Sequence, residues 1–122
     1  MKTLSRISPA EWHVMKAIWS GPPILARDVV EQLTATQKWH PKTVRTLLAR
    51  LVKKRAVAFT RQGRAYRYRA LVKEQESIKS ECQVFLDRVF DGKVGRMISH
   101  LIRNHKLPAA ELRELQRELR VK

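Results

Sequence analysis

Between His40 and Arg69 the chain carries side chains suited to one chemistry, the reading and gripping of a duplex polyanion. Lys42 and Arg45 can donate to guanine O6 and N7, and the methyl groups of Thr43 and Thr46 can touch that of thymine. Arg50, Lys53 and Lys54 follow at positions suited to phosphates. Arg61, Arg64 and Arg67 can grip the backbone or dip into a minor groove. The charge around them is one-sided. No acidic residue occurs between Glu31 and Glu74, while twelve lysines and arginines do. A solvated face of a basic protein is the plain alternative, but solvated faces mix their signs, and two consecutive amphipathic elements without an acid point to nucleic acid.

The elements that must hold these groups are legible from period and punctuation. Ser8-Pro9-Ala10-Glu11 is a capping box with proline at the first helical position, and Trp12, Met15, Ile18 and Trp19 follow at helical spacing until Ser20-Gly21-Pro22-Pro23. A second helix starts near Ala26 with Val29, Val30 and Leu33 on one face. A third is expected over Pro41 to Arg55, with Val44, Leu47, Leu48, Leu51 and Val52 turned inward. The period then changes to two. Val57 and Phe59 alternate with Ala58 and Thr60, Gln62-Gly63 makes a turn, and Ala65 to Arg69 returns with tyrosines to one side and arginines to the other. Three helices and a basic hairpin, in that order, make a winged helix-turn-helix. The expected fold is therefore mainly α with a small β-hairpin wing, followed by a C-terminal helical lobe.

That lobe carries three apolar stripes. Ile78, Cys82, Phe85, Leu86, Val89 and Phe90 form the first, ended by Asp91-Gly92. Val94, Met97, Ile98, Leu101 and Ile102 form the second, and Leu112, Leu115 and Leu119 the third, after Pro108. About fifty residues cannot bury all three in one small lobe, so a second copy is expected to cover them. The expected division is a DNA-binding domain at 1–72 and a three-helix dimerisation domain at 73–122. Ile78, Phe85, Leu86, Val89, Ile98, Leu101, Leu112, Leu115 and Leu119 are the expected dimer contacts.

Composition excludes several classes. The chain has 122 residues, 26 Lys plus Arg against 11 Asp plus Glu, a formal net charge of +15, and 43% apolar residues. A disordered basic tail would be poorer in core residues. The longest apolar run is the four residues from Ala56 to Phe59, against the twenty or so that a membrane span needs, and the start lacks a signal-peptide core. A cytoplasmic protein without membrane partners is expected. Cys82 is the single cysteine, which leaves no internal disulfide, and it reads as a small buried hydrophobe. His13, His40, His100 and His105 are scattered and lack thiol or carboxylate neighbours at metal spacing, so no metal and no cofactor is expected. With no phosphate loop, nucleophile elbow or clustered carboxylates, the reading is a non-enzyme. Trp12, Trp19 and Trp39 read as core anchors, and Tyr66 and Tyr68 as the core side of the hairpin.

Three stretches carry a family likeness: Ile7 to Trp19, Trp39 to Lys54, and Gly63 to Tyr68. Together with Phe85 to Gly92 and Leu107 to Leu112, they make the chain resemble the penicillinase and methicillin-resistance repressors (the BlaI/MecI/CopY type) almost end to end. The resemblance implies a homodimeric winged-helix repressor on palindromic operators, with the helix at Pro41 as the reader. It also implies release through a sensor protease pathway that cuts the dimerisation lobe, at a position matching His100-Leu101. The family pattern there is Asn followed by Phe, and this chain departs from it at both residues. The copper-responsive branch has a C-terminal cysteine cluster that is not found here. Where the family places Ser before the proline of the reading helix, this chain has His40. An imidazole is an inferior cap, so Pro41 and packing are expected to hold the helix start, with His40 free to face a phosphate when protonated. The rival functions are a nucleoid-type protein that coats DNA without preference, and an adaptor whose apolar lobe docks another protein.

Overall fold

The computed structural model describes residues 6–121. In chain order these form α1 (Pro9–Trp19), β1 (Ile24–Leu25), α2 (Ala26–Gln37), α3 (Pro41–Lys53), β2 (Val57–Gln62), β3 (Ala65–Ala70), α4 (Glu74–Phe90), α5 (Val94–Asn104) and α6 (Ala109–Val121). The fold is the expected one, helical with a small sheet. The three-stranded antiparallel sheet has the order β1-β3-β2.

Local chemistry starts and stops the helices much as the sequence requires. Ser8 Oγ accepts the Glu11 amide at 3.2 Å, and the Glu11 carboxylate accepts the Ser8 amide at 2.8 Å, which closes the capping box of α1. At α3 the imidazole does cap, contrary to expectation: His40 Nδ1 accepts the Lys42 amide at 3.0 Å, with Pro41 at the first helical position. α3 also ends sooner than the expected Arg55. Arg55 takes the left-handed conformation at φ 63°, and the amides of Arg55 and Ala56 turn back to the carbonyls of Val52 and Leu51. This pair of bonds is a Schellman stop, which leaves Lys53 as the last helical residue.

The chain divides into two compact units between Glu81 and Cys82. In the first, Val14, Met15, Val29, Val44, Leu48, Leu51 and Val57 are almost wholly buried where α1, α2, α3 and the sheet meet. Trp19 Nε1 donates to the Val72 carbonyl at 3.0 Å, tying the end of α1 to the segment that follows the sheet. Trp12 and Trp19 lie 5.3 Å apart, and both pack on this core as expected. The division falls inside α4 rather than at residue 72, because the first two turns of α4 belong to the first unit. Ser77 is buried there, and Arg6 pairs with Glu81 at 2.9 Å.

The second unit holds the end of α4 with α5 and α6. Leu86 is the one buried side chain among its described residues, and α5 buries none. Phe85, Val89, Val94, Leu101, Ile102, Leu112 and Leu119 are exposed, while Ile98 and Leu115 are half-covered. Leu86 is therefore buried in the single chain and is not part of the open face expected of it. Cys82 is exposed rather than buried; three residues from Phe85 and four from Ile78, it shares their open stripe instead of entering a core.

Candidate nucleic-acid interface

The outward face of α3 follows from its inward one. Val44, Leu47, Leu48 and Leu51 are buried, so the 3.6-residue period turns Lys42, Thr43, Arg45, Thr46, Ala49, Arg50 and Lys53 to solvent. Thr46 Oγ donates to the Lys42 carbonyl at 2.9 Å, which satisfies its hydrogen within the helix and leaves its methyl group available for contact. Lys42 and Arg45, one turn apart near the helix start, have no side-chain partner among the described residues. Their donors stay free for base edges or phosphates.

Lys54 is different. Its ammonium donates to Glu11 at 2.6 Å and to the Arg6 carbonyl at 2.8 Å, and Glu11 itself is 1% exposed. The cation expected on a phosphate is thus committed inside the fold. The partner that takes it lies 43 residues away, beyond the reach of any spacing rule. Burial on its own would raise the Glu11 carboxyl. The Lys54 hydrogen bond, the Ser8 amide and the Lys54 charge outweigh that and hold it below its ordinary value.

The wing is a tight hairpin in which Gln62 pairs with Ala65 across a two-residue turn. Gly63 stands at φ +61°, the conformation a primed turn needs and a side chain would resist. Register sorts the wing side chains. Phe59 lies opposite Tyr68 and Arg61 opposite Tyr66, whereas Thr60 lies opposite Arg67 and Ala58 opposite Arg69. Arg61 therefore shares the tyrosine face and not the arginine face, with its guanidinium 5.9 Å from the centre of the Tyr66 ring. Phe59 packs edge-on against Tyr66 at 5.2 Å and tilted against Tyr68 at 5.6 Å. Tyr68 packs on the core, and burial, with a smaller contribution from Tyr66, pushes its phenol up. Tyr66, also expected on the core side, is exposed, because the hairpin extends past the helices that cover Tyr68.

Two wing arginines are braced. Arg61 Nε donates to the Gly63 carbonyl at 2.9 Å and Arg67 Nε to Gln62 Oε1 at 2.9 Å, so each keeps its Nη groups for an anion. Arg64 sits exposed at the turn. The sequence did not reveal β1, which pairs Ile24 with Tyr68 and Leu25 with Arg67 and so makes β3 the central strand. Two residues are too few to show a period. Among the described residues no helix is long and apolar enough to cross a membrane.

Comparison with known proteins places this geometry. The penicillinase repressor family matches residues 7–121. The chain is 36% identical over 115 residues to the penicillinase repressor of Bacillus licheniformis, spanning 94% of this chain and 90% of that protein. It is 30% identical over 116 residues to the methicillin resistance regulatory protein MecI of Staphylococcus aureus (strain N315), spanning 95% and 94%. Two solved structures cover 62% of this chain and 93% of their own, each at 39% identity. The solution structure of the DNA binding domain of the repressor BlaI gives a TM-score of 0.57, and the monomeric form of Bacillus licheniformis BlaI in complex with the blaP half-operator gives 0.55.

Proposed function

We propose, from the premise that this chain belongs to the penicillinase repressor family, that it is a transcriptional repressor that holds palindromic operator DNA as a homodimer. The observation that carries this reading is the outward face of α3, where Lys42, Thr43, Arg45, Thr46, Arg50 and Lys53 stand exposed with no acid in the helix. The N-terminal half of α3 enters the major groove, where Lys42 and Arg45 read guanine and the threonine methyls read thymine. Arg50 and Lys53 hold phosphates, and Arg61, Arg64 and Arg67 extend the grip from the wing.

The repressor works as a pair. The first unit binds DNA, and α4, α5 and α6 join the subunits through the open stripes that include Ile78, Phe85, Val89, Leu101, Leu112 and Leu119. Supporting this is the second unit, where Phe85, Val89, Val94, Leu101, Ile102, Leu112 and Leu119 are left exposed in a single chain. Two-fold symmetry then sets half-sites about one helical turn apart. Weakening the pair weakens repression, since one winged helix keeps half the contacts. A cut at His100-Leu101 would act in this way. That bond lies inside α5, with Asn104 Nδ2 donating to the His100 carbonyl at 2.8 Å, so a protease must first open the helix.

Selection of bound duplexes from a random pool tests the reading, together with sedimentation of the free protein. The expected outcome is a dimer and a palindromic consensus. With about eight phosphates neutralised, log K should fall with log salt at a slope of roughly −7. Duplexes recovered without any consensus would favour the nucleoid-type rival, and a monomer in solution the adaptor.

A further inference from the structure

His40 stands exposed at the start of α3, and its ring is used on one side only. Nδ1 accepts the Lys42 amide at 3.0 Å. A nitrogen that accepts carries no proton, so in the neutral ring the proton is on Nε2, the nitrogen on the far side from the cap. The turn that carries the ring is pinned. Trp39 packs on the core and meets the His13 ring edge-on at 5.4 Å, and Lys38 closes α2 in the left-handed conformation at φ 59°. Lys38 and Lys42 flank His40 and are exposed, and no acidic residue lies between Glu31 and Glu74. The first amides of α3 add their positive end at the same place.

We propose that His40 is a phosphate-contacting residue that binds as a neutral donor, with Nε2–H directed at the backbone of the same duplex whose bases α3 reads. The proposal rests on the repressor reading above. It reverses the sequence expectation at this position, in which a free imidazole would meet phosphate only once protonated. The cap occupies Nδ1, which leaves Nε2 of the exposed ring as the donor. A neutral donor neutralises no phosphate and releases no counterion. His40 therefore adds affinity without adding to the salt dependence, unlike its neighbour Lys42.

The experiment uses the full chain and the duplex it selects from a random pool. His40→Ser keeps a side-chain cap on the Lys42 amide and removes the ring donor. Binding should weaken about tenfold with the slope of log K against log salt unchanged, whereas Lys42→Ala should lower the magnitude of that slope by about 1. A methylphosphonate scan of the duplex should find one phosphate per half-site whose neutralisation weakens the native protein and leaves His40→Ser unaffected. Nitrogen-15 spectra of the imidazole should show Nε2 protonated and Nδ1 bare in the neutral ring, a readout independent of how the variant folds. A proton on Nδ1, or a scan identical for both proteins, would overturn the proposal while a palindromic consensus still upheld the repressor reading. Failure to select any consensus would instead strike at that reading.

Discussion

The Lys54 ammonium lies 2.6 Å from Glu11 Oε1, joining the C-terminal cap of α3 to the first turn of α1. The same carboxylate closes the capping box with Ser8, so one buried acid holds two helix ends. Glu11 can be buried because it is met by an ammonium and an amide, and α3 gains a fixed C-terminal anchor. α3 is thereby held at its C-terminal end by a contact made within the fold.

Lys54→Met should therefore destabilise the protein and leave phosphate binding alone. Removing one partner of a buried pair costs about 3–5 kcal/mol, and the one-third exposure of the Lys54 side chain reduces this to about 2 kcal/mol. Urea unfolding at fixed protein concentration measures the loss. The salt slope of DNA binding should be that of the native protein; a fall in its magnitude would return Lys54 to the phosphate contacts.

The pH dependence of stability has a definite sign. The folded Glu11 carboxyl lies below its ordinary value of 4.5, so its stabilisation is fully present above that value and is lost as pH falls through the lower, folded value. Glu11→Gln should flatten this part of the curve. Unfolding free energy compared for the two proteins between about pH 3 and pH 6 checks the prediction.

Arg55 holds the left-handed conformation that ends α3, at φ 63°. A residue with a Cβ is strained there by about 1 kcal/mol, so Arg55→Gly should raise stability by about that amount. Denaturation midpoints read the change directly.

Ser77 is buried, and its hydroxyl has no hydrogen-bond partner among the described residues. Ser77→Ala removes an unsatisfied group from the first unit and should be neutral to stabilising, by up to about 1 kcal/mol. A clear loss in thermal unfolding would show that the hydroxyl is satisfied in the assembled protein.

Arg45 and Arg50 should separate in their effects on DNA. Arg45→Ala should cost about 1–3 kcal/mol and relax preference at one base position, while Arg50→Ala should weaken all duplexes alike and reduce the salt slope by about 1. Binding to single-base variants of the selected duplex, at two salt concentrations, distinguishes them.

Most of the helical architecture was legible in the residues. Ser8 to Glu11, Pro41 and Asp91-Gly92 mark helix ends through bonds or backbone angles confined to a few neighbouring residues, and the outward set on α3 follows from the spacing of Val44, Leu47, Leu48 and Leu51. The cap at His40 was misjudged because imidazole is a rare cap and nothing local says where its ring will turn. That Arg61 meets Tyr66 was not legible, because alternation within one strand does not tell which residue lies opposite it on the next.

What the sequence determined by itself was the placement of charge and the run of helices, since capping, period and the absence of acids are properties of neighbouring residues. What only the tertiary structure decided was which cations are free. Lys54 and Glu11 are 43 residues apart, and Trp19 and Val72 are 53 apart. Whether such groups meet depends on how α1, α3 and the sheet pack, because the low-polarity interior rewards a distant partner for a buried charge or donor and chain order says nothing of who that partner is.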